Sequence, residues 1–427
     1  MRSLTTLITL FGTAAVLLAS ESDQHLSIKE PDNGREELDQ LFKRFGGFDG
    51  DPNVNRFREL GSNAVAYLAD KVTRHDLLFK RAEILIYTNL PSGMASKVRP
   101  PVSLTPDQIK ALQVLRQMGP AYTRLPPALE ALTVALGDWT EGVRIIAQGA
   151  LGDAGSAASN AVPALIDAVE RSQARINGIW ALGRIGAQAK AAIPALQRVL
   201  ASSTGREMVY AAEALHRVDP GNPRPLDYLQ TGLKDTNRQA RAEAAEALRQ
   251  FGAGAQASLP ALRAALRDSD SWVQFNAARA LVEIGPRDEE AVALLQQVLT
   301  NPSPTEDFRG LLAAQSLLKC PPAPVKAASF VEGKLQQKDE RVRLYAALLM
   351  SEAGLESPAV LPVLTDVLTT SADYRNLVLA TKAVGQIGPR ASGVLPVLRR
   401  LLTSKDQELR ATAAEALSRV QLGSTAE

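Results

Sequence analysis

The chain has 427 residues, 45% of them hydrophobic but only 5% aromatic, and 48 basic against 46 acidic side chains leave a net charge of +2. That length exceeds what one compact core keeps filling, and an apolar supply weighted towards Ala and Leu favours an open stack of closely packed helices over several globular domains. Balanced charge gives no footprint for nucleic acid, and the single cysteine, Cys320, excludes an intrachain disulfide and a CxxC zinc or redox motif.

Residues 1–20, MRSLTTLITLFGTAAVLLAS, place Arg2 before an apolar run from about Leu4 to Leu18 and end on the small residues Ala19 and Ser20. This is the pattern of a secretory signal peptide, with a retained N-terminal anchor as the alternative. No later stretch of about 18 uncharged apolar residues offers a membrane span. The expected location is therefore the periplasm, the cell envelope or the medium, where a lone cysteine is also in place. Residues 21–50 are polar and expected to be disordered. FDGDPNVN at 48–55 sets Asp49, Asp51 and Asn53 at alternate positions, as in a calcium loop, but Val54 and Leu60 stand where such a loop needs Gly and Glu. An Asp-Pro-Asn turn capping the next helix is expected instead. Residues 51–104, with FRELGSNAVAYLADKV, LLFKRAEILIYTNL and a loop at 91–106, suggest N-terminal helices forming a degenerate repeat or cap.

From 105 to 420 the sequence repeats. A small-plus-large pair recurs at Ala150-Leu151, Ala181-Leu182, Ala214-Leu215, Ala247-Leu248, Ala280-Leu281, Ser316-Leu317, Leu349-Met350, Ala383-Val384 and Ala416-Leu417, at spacings of 31, 33, 33, 33, 36, 33, 34 and 33 residues. The segments ending on these pairs, such as ARAEAAEAL and VQFNAARAL, bring apolar or small residues round at i, i+3, i+4 and i+7, the period of an amphipathic helix. Gly155, Gly186, Gly252, Gly285 and Gly388 follow, where a left-handed residue ends the helix. A second helix then opens near Pro163, Pro194, Pro260, Pro362 or Pro396, tolerated because first-turn amides have no intrahelical partner. One such hairpin cannot bury both its apolar faces, so neighbours must stack; the expected fold is an all-α, right-handed α-solenoid of two-helix repeats, with residues 421–427 as a tail. ALQVLRQMGPAYTRLPPALEALTVAL (111–136) reads as one more, degenerate repeat. The proline-rich turns in HRVDPGNPRPLDYL and KCPPAPVKAASF are expected to bend the stack locally.

A polar loop precedes each first helix, and a basic or polar residue lies in its first turn: Asp138 with Arg144, Asp235 with Arg241, Asp268 with Gln274, Asp339 with Arg343, Asp406 with Arg410. Arg175, Arg309 and Arg375 are read as the same basic position. Such a ladder bonds loop carbonyls and carboxylates of successive repeats; because it recurs, it is taken as structural.

These residues resemble HEAT-like repeats, in particular the short type named after phycobilisome lyases, over roughly 105–420. Ankyrin repeats share the length, but their Thr-Pro-Leu-His signature is missing; tetratricopeptide repeats place proline at the end of the second helix rather than near its start. The resemblance implies a protein-binding scaffold or, as the alternative, an enzyme or enzyme subunit related to bilin lyases; a signal peptide does not suit a lyase acting on cytoplasmic antenna proteins. Deoxyhypusine hydroxylases are HEAT-like too and hold two irons through His-Glu motifs, but no His-Glu dipeptide occurs here.

No GxSxG, HExxH or P-loop is present, and His25, His75 and His216 are too scattered to suggest a metal cluster, so no catalytic residue, metal or cofactor is assigned. Binding positions follow from geometry: second helices of such solenoids are expected to line the concave face, where Arg198, Arg263, Arg267, Arg399 and Arg400 form a candidate basic stripe for an acidic protein partner. The competing reading is a solvated face balanced by Asp167, Glu170 and Asp366. Trp180 is expected in the core, and Trp139 and Trp272 at inter-repeat loops, as anchors or lids.

Overall fold

The structure is a computed structural model, described here for residues 32–47, 51–73, 105–138, 140–171, 175–285, 288–300, 307–320 and 325–421. The signal-peptide segment, the helix expected at 77–90, Trp139, His25, His75 and the turn at 321–324 lie outside those residues. No strand occurs among the described residues, and the chain divides into two compact units, up to Ala168 and from Val169 onwards.

The first unit contains α1 (Asp32–Arg44), α2 (Asn53–Thr73), α3 (Pro106–Met118), the short α4 (Pro120–Thr123), α5 (Pro126–Ala135) and α6 (Glu141–Ala154). Helix α1 corrects the expectation of disorder for residues 32–44, while 21–31 and 48–50 lie outside the described residues. Its sequence is mostly polar, but Leu38, Leu41, Phe42 and the following Phe45 fall at i, i+3, i+4 and i+7 and are all buried. The ammonium groups of Lys71 and Lys110 lie 4.8 and 5.1 Å from the Phe42 ring centre. The Asp-Pro-Asn turn forms as expected: Asp51 accepts from the amides of Asn53 at 2.9 Å and Gly46 at 2.6 Å, which fixes the entry to α2. Helices α3 to α5 build the degenerate repeat, opened by Thr105 and Gln108 in a reciprocal capping box.

Helix α7 (Val162–Arg171) contains the boundary. The second unit continues with α8 (Ile176–Ile185), α9 (Ile193–Ser202), α10 (Gly205–Val218), α11 (Arg224–Gly232), α12 (Arg238–Gln250), α13 (Leu259–Ala265), α14 (Ser271–Ile284) and α15 (Glu289–Leu299). It ends with α16 (Asp307–Leu318), α17 (Val325–Lys334), α18 (Glu340–Glu352), α19 (Val360–Thr370), α20 (Tyr374–Ile387), α21 (Leu395–Leu401) and α22 (Gln407–Gln421). Even-numbered members from α6 on are the first helices of the repeats, odd-numbered ones from α7 the second. Stacked in this way they form an all-α solenoid. The repeated pairs are buried from Ala150-Leu151 to Ala383-Val384; in the last one Ala416 is buried and Leu417 is half-buried. Each such leucine contributes about 1.5–3 kcal/mol by leaving water.

The link between first and second helix is more structured than the sequence suggests. Four repeats carry a seven-residue 3-10 segment there, at Gly155–Ala161, Gly186–Ala192, Gly252–Ser258 and Gly388–Val394. Each plugs the end of the hairpin with a buried alanine at its fourth position, Ala158, Ala189, Ala255 or Ala391. The opening glycines have φ of 61°, 69°, 55° and 68°, a region that L side chains rarely enter. Gly285 departs from the expectation: its φ is −108°, outside the left-handed region, and a Cβ there would lie 2.9 Å from Leu259 Cδ2, so the backbone approaches this side chain closely. The prolines fall as expected, second in α7, α9, α13 and α21 and third in α19.

Small residues also set how closely first helices approach. A Cβ on Gly183 of α8 would meet the Cα of Ala214 of α10 at 2.9 Å, and one on Gly385 of α20 would meet the Cα of Ala416 of α22 at 3.0 Å. Alanine and glycine therefore replace larger knobs where these helices touch.

Candidate functional site

The arginine ladder is real but narrower than its sequence pattern. In α6, α12, α18 and α22 the arginine is the fourth residue of the helix, and its guanidinium folds back onto the loop it follows. Arg144 donates to the Asp138 carbonyl at 2.8 Å, Arg241 to Asp235 and Thr236 at 2.8 and 3.2 Å, Arg343 to Gln337 and Lys338 at 3.0 and 3.1 Å, and Arg410 to Ser404 and Lys405, both at 2.7 Å. Gln274 of α14 does the same with its amide, reaching the Asp268 carbonyl at 2.6 Å. Loop carbonyls that no helix can satisfy are thus paired from the side.

The aspartates have the complementary task. Asp138, Asp235 and Asp268 each accept from the amide two residues on, at 2.7, 2.8 and 2.8 Å, as Asx turns. Asp339 and Asp406 are N-caps of α18 and α22. Two contacts extend the ladder between repeats: Asp235 accepts from the Gly205 amide at 2.9 Å, and Arg241 holds both oxygens of Asp268, at 2.7 and 2.9 Å. The hydrogen bond from Arg241, opposed by burial, holds the Asp268 carboxyl below its ordinary range.

Arg309 and Arg375 do not belong to this ladder, and the loop before Arg175, at 172–174, lies outside the described residues. Arg175 is the N-cap residue of α8, with Nε 3.0 Å from Glu207 but without hydrogen-bond geometry to it. Arg309 is third in α16; it donates to the Ser271 carbonyl at 3.0 Å and covers the rings of Trp272 and Phe275 at 5.0 and 4.9 Å from their centres. Arg375 is second in α20, where Leu377 holds the fourth position, and its side chain is exposed. Every first helix from α6 to α22 other than α8 begins nine residues before its small-plus-large pair, and Arg309 and Arg375 stand seven and eight residues before theirs where the ladder residues stand six, so they sit one and two positions early in their helices.

The second-helix arginines Arg198, Arg263, Arg267, Arg399 and Arg400 are all exposed, yet three are already matched across the stack. Arg198 pairs with Glu170, Arg263 with Asp288 at 2.7 Å, and Arg267 with Glu290 at 3.2 Å. Arg400 donates only to the Leu368 carbonyl, at 3.5 Å, and Arg399 has no ion pair among the described residues. Of the expected balancing groups, Glu170 serves Arg198 and Asp366 serves Arg343 at 2.9 Å. The free positive charge of the stripe is concentrated at α21.

A second charged cluster was not found from the sequence. Across α12, α14 and α16, Arg249 grips Glu246 at 2.6 and 3.0 Å and reaches Glu283 at 2.9 Å, while Arg279 bonds Glu246 at 3.1 Å and Ser316 at 3.3 Å. Ser316 Oγ donates to Glu283 at 2.6 Å, and Lys319 adds a contact at 3.2 Å. Burial pushes the carboxyls of Glu246 and Glu283 up, but hydrogen bonds and charge from Arg249, Ser316 and Lys319 outweigh it, and both lie below their ordinary range. One step earlier, Glu213 of α10 goes the other way: burial and the neighbouring Glu246 and Glu243 raise it despite Arg217 at 2.6 Å. The legible signal was the 33-residue recurrence of Glu213, Glu246 and Arg279, each just before a repeated pair. Opposite charges cancel within the cluster, and its hydrogen bonds tie three first helices together.

No group of three or more His, Cys, Asp or Glu side chains that could hold a metal occurs among the described residues, and no described helix is long and apolar enough to cross a membrane. His216 stacks on Phe251 with ring centres 3.6 Å apart, and Cys320 is buried. Trp180 is half-buried beneath Arg184 rather than in the core, and Trp272 is 49% exposed.

Comparisons with known proteins agree with this architecture. The HEAT-repeat family model matches residues 226–317 and 361–427, and the PBS lyase HEAT-like repeat matches 174–202. The chain therefore carries HEAT repeats over these stretches, one of them of the PBS lyase HEAT-like type. No curated protein matches it. Similar solved structures include YibA of E. coli, 21% identical over 61% of this chain and 95% of that one, with a TM-score of 0.34. The complex of CpcE and CpcF of phycocyanin lyase from Nostoc sp. PCC7120 is 18% identical over 64% and 97%, with a TM-score of 0.33. Kap121p is 14% identical over 92% of this chain but only 49% of its own length, with a TM-score of 0.32. At such TM-scores these likenesses support no statement about function.

Proposed function

We propose that the protein is an exported, non-catalytic scaffold or adaptor that binds other proteins through the surface of its second helices, expected to be concave. The observation that supports it most is the fate of one set of charged side chains: Glu246, Arg249, Asp268 and Glu283 are engaged by neighbouring repeats. Groups held in this way brace the stack. Arg399 and Arg400 then offer the open positive charge to an acidic partner. The bilin-lyase alternative rests on the name of the matching repeat. Fractionation of the native cells tests the export, with the protein expected in the envelope or medium and a cytoplasmic protein counting against it. Charge reversal at Arg399 and Arg400 is expected to weaken binding of a captured acidic partner by about tenfold, the effect of removing about 1.4 kcal/mol; unchanged affinity removes α21 from the site.

A further inference from the structure

Three of the four large hydrophobic side chains exposed among the described residues, Trp272, Phe308 and Leu379, lie on first helices of the second unit: α14, α16 and α20. Trp272 and Phe308 are each the second residue of their helix, and Arg341 and Arg375 hold the same place in α18 and α20. One register position therefore runs Trp, Phe, Arg, Arg across four successive repeats. Tyr345, one turn into α18, continues the apolar part, its ring centre 6.3 Å from that of Phe308. Leu379 stands one turn beyond Arg375 in α20.

The aromatic end is built to stay in place. Trp272 meets Phe275 edge-on at 5.6 Å, its amide is capped by Asp270 at 2.9 Å, and Arg309 covers both rings. Exposed aromatics fixed in this way lose little entropy when a partner covers them, which is the property of an anchor.

Charge decides what the partner is. The carboxylates along these helix starts already accept hydrogen bonds. Asp270 takes the Trp272 and Val273 amides, Asp339 those of Arg341 and Val342, Asp373 that of Arg375, and Glu340 accepts from Ser371 and Asn376 at 2.7 and 2.6 Å. Glu352 lies at the far, C-terminal end of α18. The open valences are donors. The Arg375 and Lys382 side chains are exposed without a partner among the described residues, and Arg341, 69% exposed, has only its own cap Asp339 at 3.6 Å.

We infer that this first-helix edge from Trp272 to Leu379 is a docking surface for an extended acidic segment of a partner protein, with apolar side chains on Trp272, Phe308 and Tyr345 and carboxylates on Arg341 and Arg375. The inference rests on the reading of the chain as a protein-binding scaffold, and it places a second contact surface on the helices opposite to the Arg399–Arg400 end of that reading. With neighbouring helices about 10 Å apart and an extended chain rising about 3.3 Å per residue, the segment advances about three residues per repeat. It therefore carries an apolar residue at about every third position.

The test uses the full-length protein and a fluorescein-labelled nine-residue probe, Phe-Glu-Glu-Leu-Glu-Glu-Leu-Glu-Glu, read by fluorescence anisotropy against the same peptide with lysine in place of glutamate. The acidic probe is expected to bind about tenfold or more tighter than the basic one, to lose about tenfold in W272S/F308S, and to lose its preference over the basic probe in R341E/R375E. Circular dichroism confirms that each variant is folded. Equal binding of both probes, no saturation by the acidic probe, or wild-type affinity in W272S/F308S overturns the docking surface. If the surface fails while R399E/R400E still releases a protein captured from native cells, the scaffold reading stands without it; if neither surface affects capture, both fall.

Discussion

Arg241 on α12 holds Asp268, in the loop before α14, through Nε at 2.7 Å and Nη2 at 2.9 Å, while its Nη1 satisfies the carbonyl of Asp235 in the preceding loop. One side chain thereby ties together the two loops that flank its repeat. Both partners of the pair are largely shielded, at 14% and 12% exposure, so removing one leaves the other carrying a desolvated charge.

Arg241→Ala is accordingly expected to lower unfolding free energy by about 2–3 kcal/mol, the scale of a charged hydrogen-bonded group left unsatisfied. Urea titration followed by circular dichroism measures it. A midpoint equal to that of the wild type removes the ladder from the account of stability. Arg375→Ala serves as the contrast: its side chain is exposed and outside the ladder, so a change within about 0.5 kcal/mol is expected.

The contrast shows how far the sequence could be read. The repeated pairs, the prolines of the second helices and the arginines of α6, α12, α18 and α22 were all recoverable from spacing, because the close-packed middle of each hairpin fixes the register. Spacing also separates Arg309 and Arg375, which stand seven and eight residues before their pairs instead of six, and reading them as the same basic position overlooked that offset. Gly285 was misread because glycine marks both a left-handed residue and a close approach, and the letter alone does not separate them. The Glu246–Arg279–Glu283 cluster did not stand out in the sequence, since charges on a helix reveal their partners only when the neighbouring helix is in place. Helix α1 was hidden by its charges, with four apolar residues in a polar stretch being enough to seat it.

Acid should loosen the second unit. Asp268, Asp288, Glu246 and Glu283 all have folded values below their ordinary 3.8 or 4.5. A depressed carboxylate contributes stability that is complete above its unfolded value and is lost as the pH falls through the folded one. The urea midpoint is therefore expected to fall steeply below pH 4.5 and then 3.8, on the part of the curve where these groups take up protons. A flat profile across that window contradicts the assignment of these pairs as stabilising.

Glu213 should behave in the opposite sense. Burial raises its carboxyl above the ordinary 4.5, so its ionisation weakens the fold as the pH rises from 4.5 through the folded value. Glu213→Gln is expected to gain relative stability over that rise and to match the wild type more closely in acid. If the difference between the two proteins is the same at every pH, Glu213 is not held in the protonation state described.

Close approach of first helices yields a steric prediction. Gly183→Ala places a methyl 2.9 Å from the Cα of Ala214, backbone that cannot rotate aside, and is expected to destabilise by about 1–3 kcal/mol. Gly254→Ala, with nothing within 4 Å and a negative φ, is the control and is expected to be neutral or slightly stabilising. Equal melting of the two variants would mean that α8 and α10 are not held at this distance.

The central claim is that this HEAT-repeat stack binds proteins and performs no chemistry of its own. Affinity capture of the tagged full-length protein from its native cells, with mass spectrometry of both the proteins and the small molecules retained, addresses that claim most directly. The account requires a stoichiometric protein partner from the envelope or the medium, released by substitution at Arg399 and Arg400 or along the Trp272–Leu379 edge. A chromophore or a metal retained without any protein partner would contradict it and identify the chain as part of an enzyme.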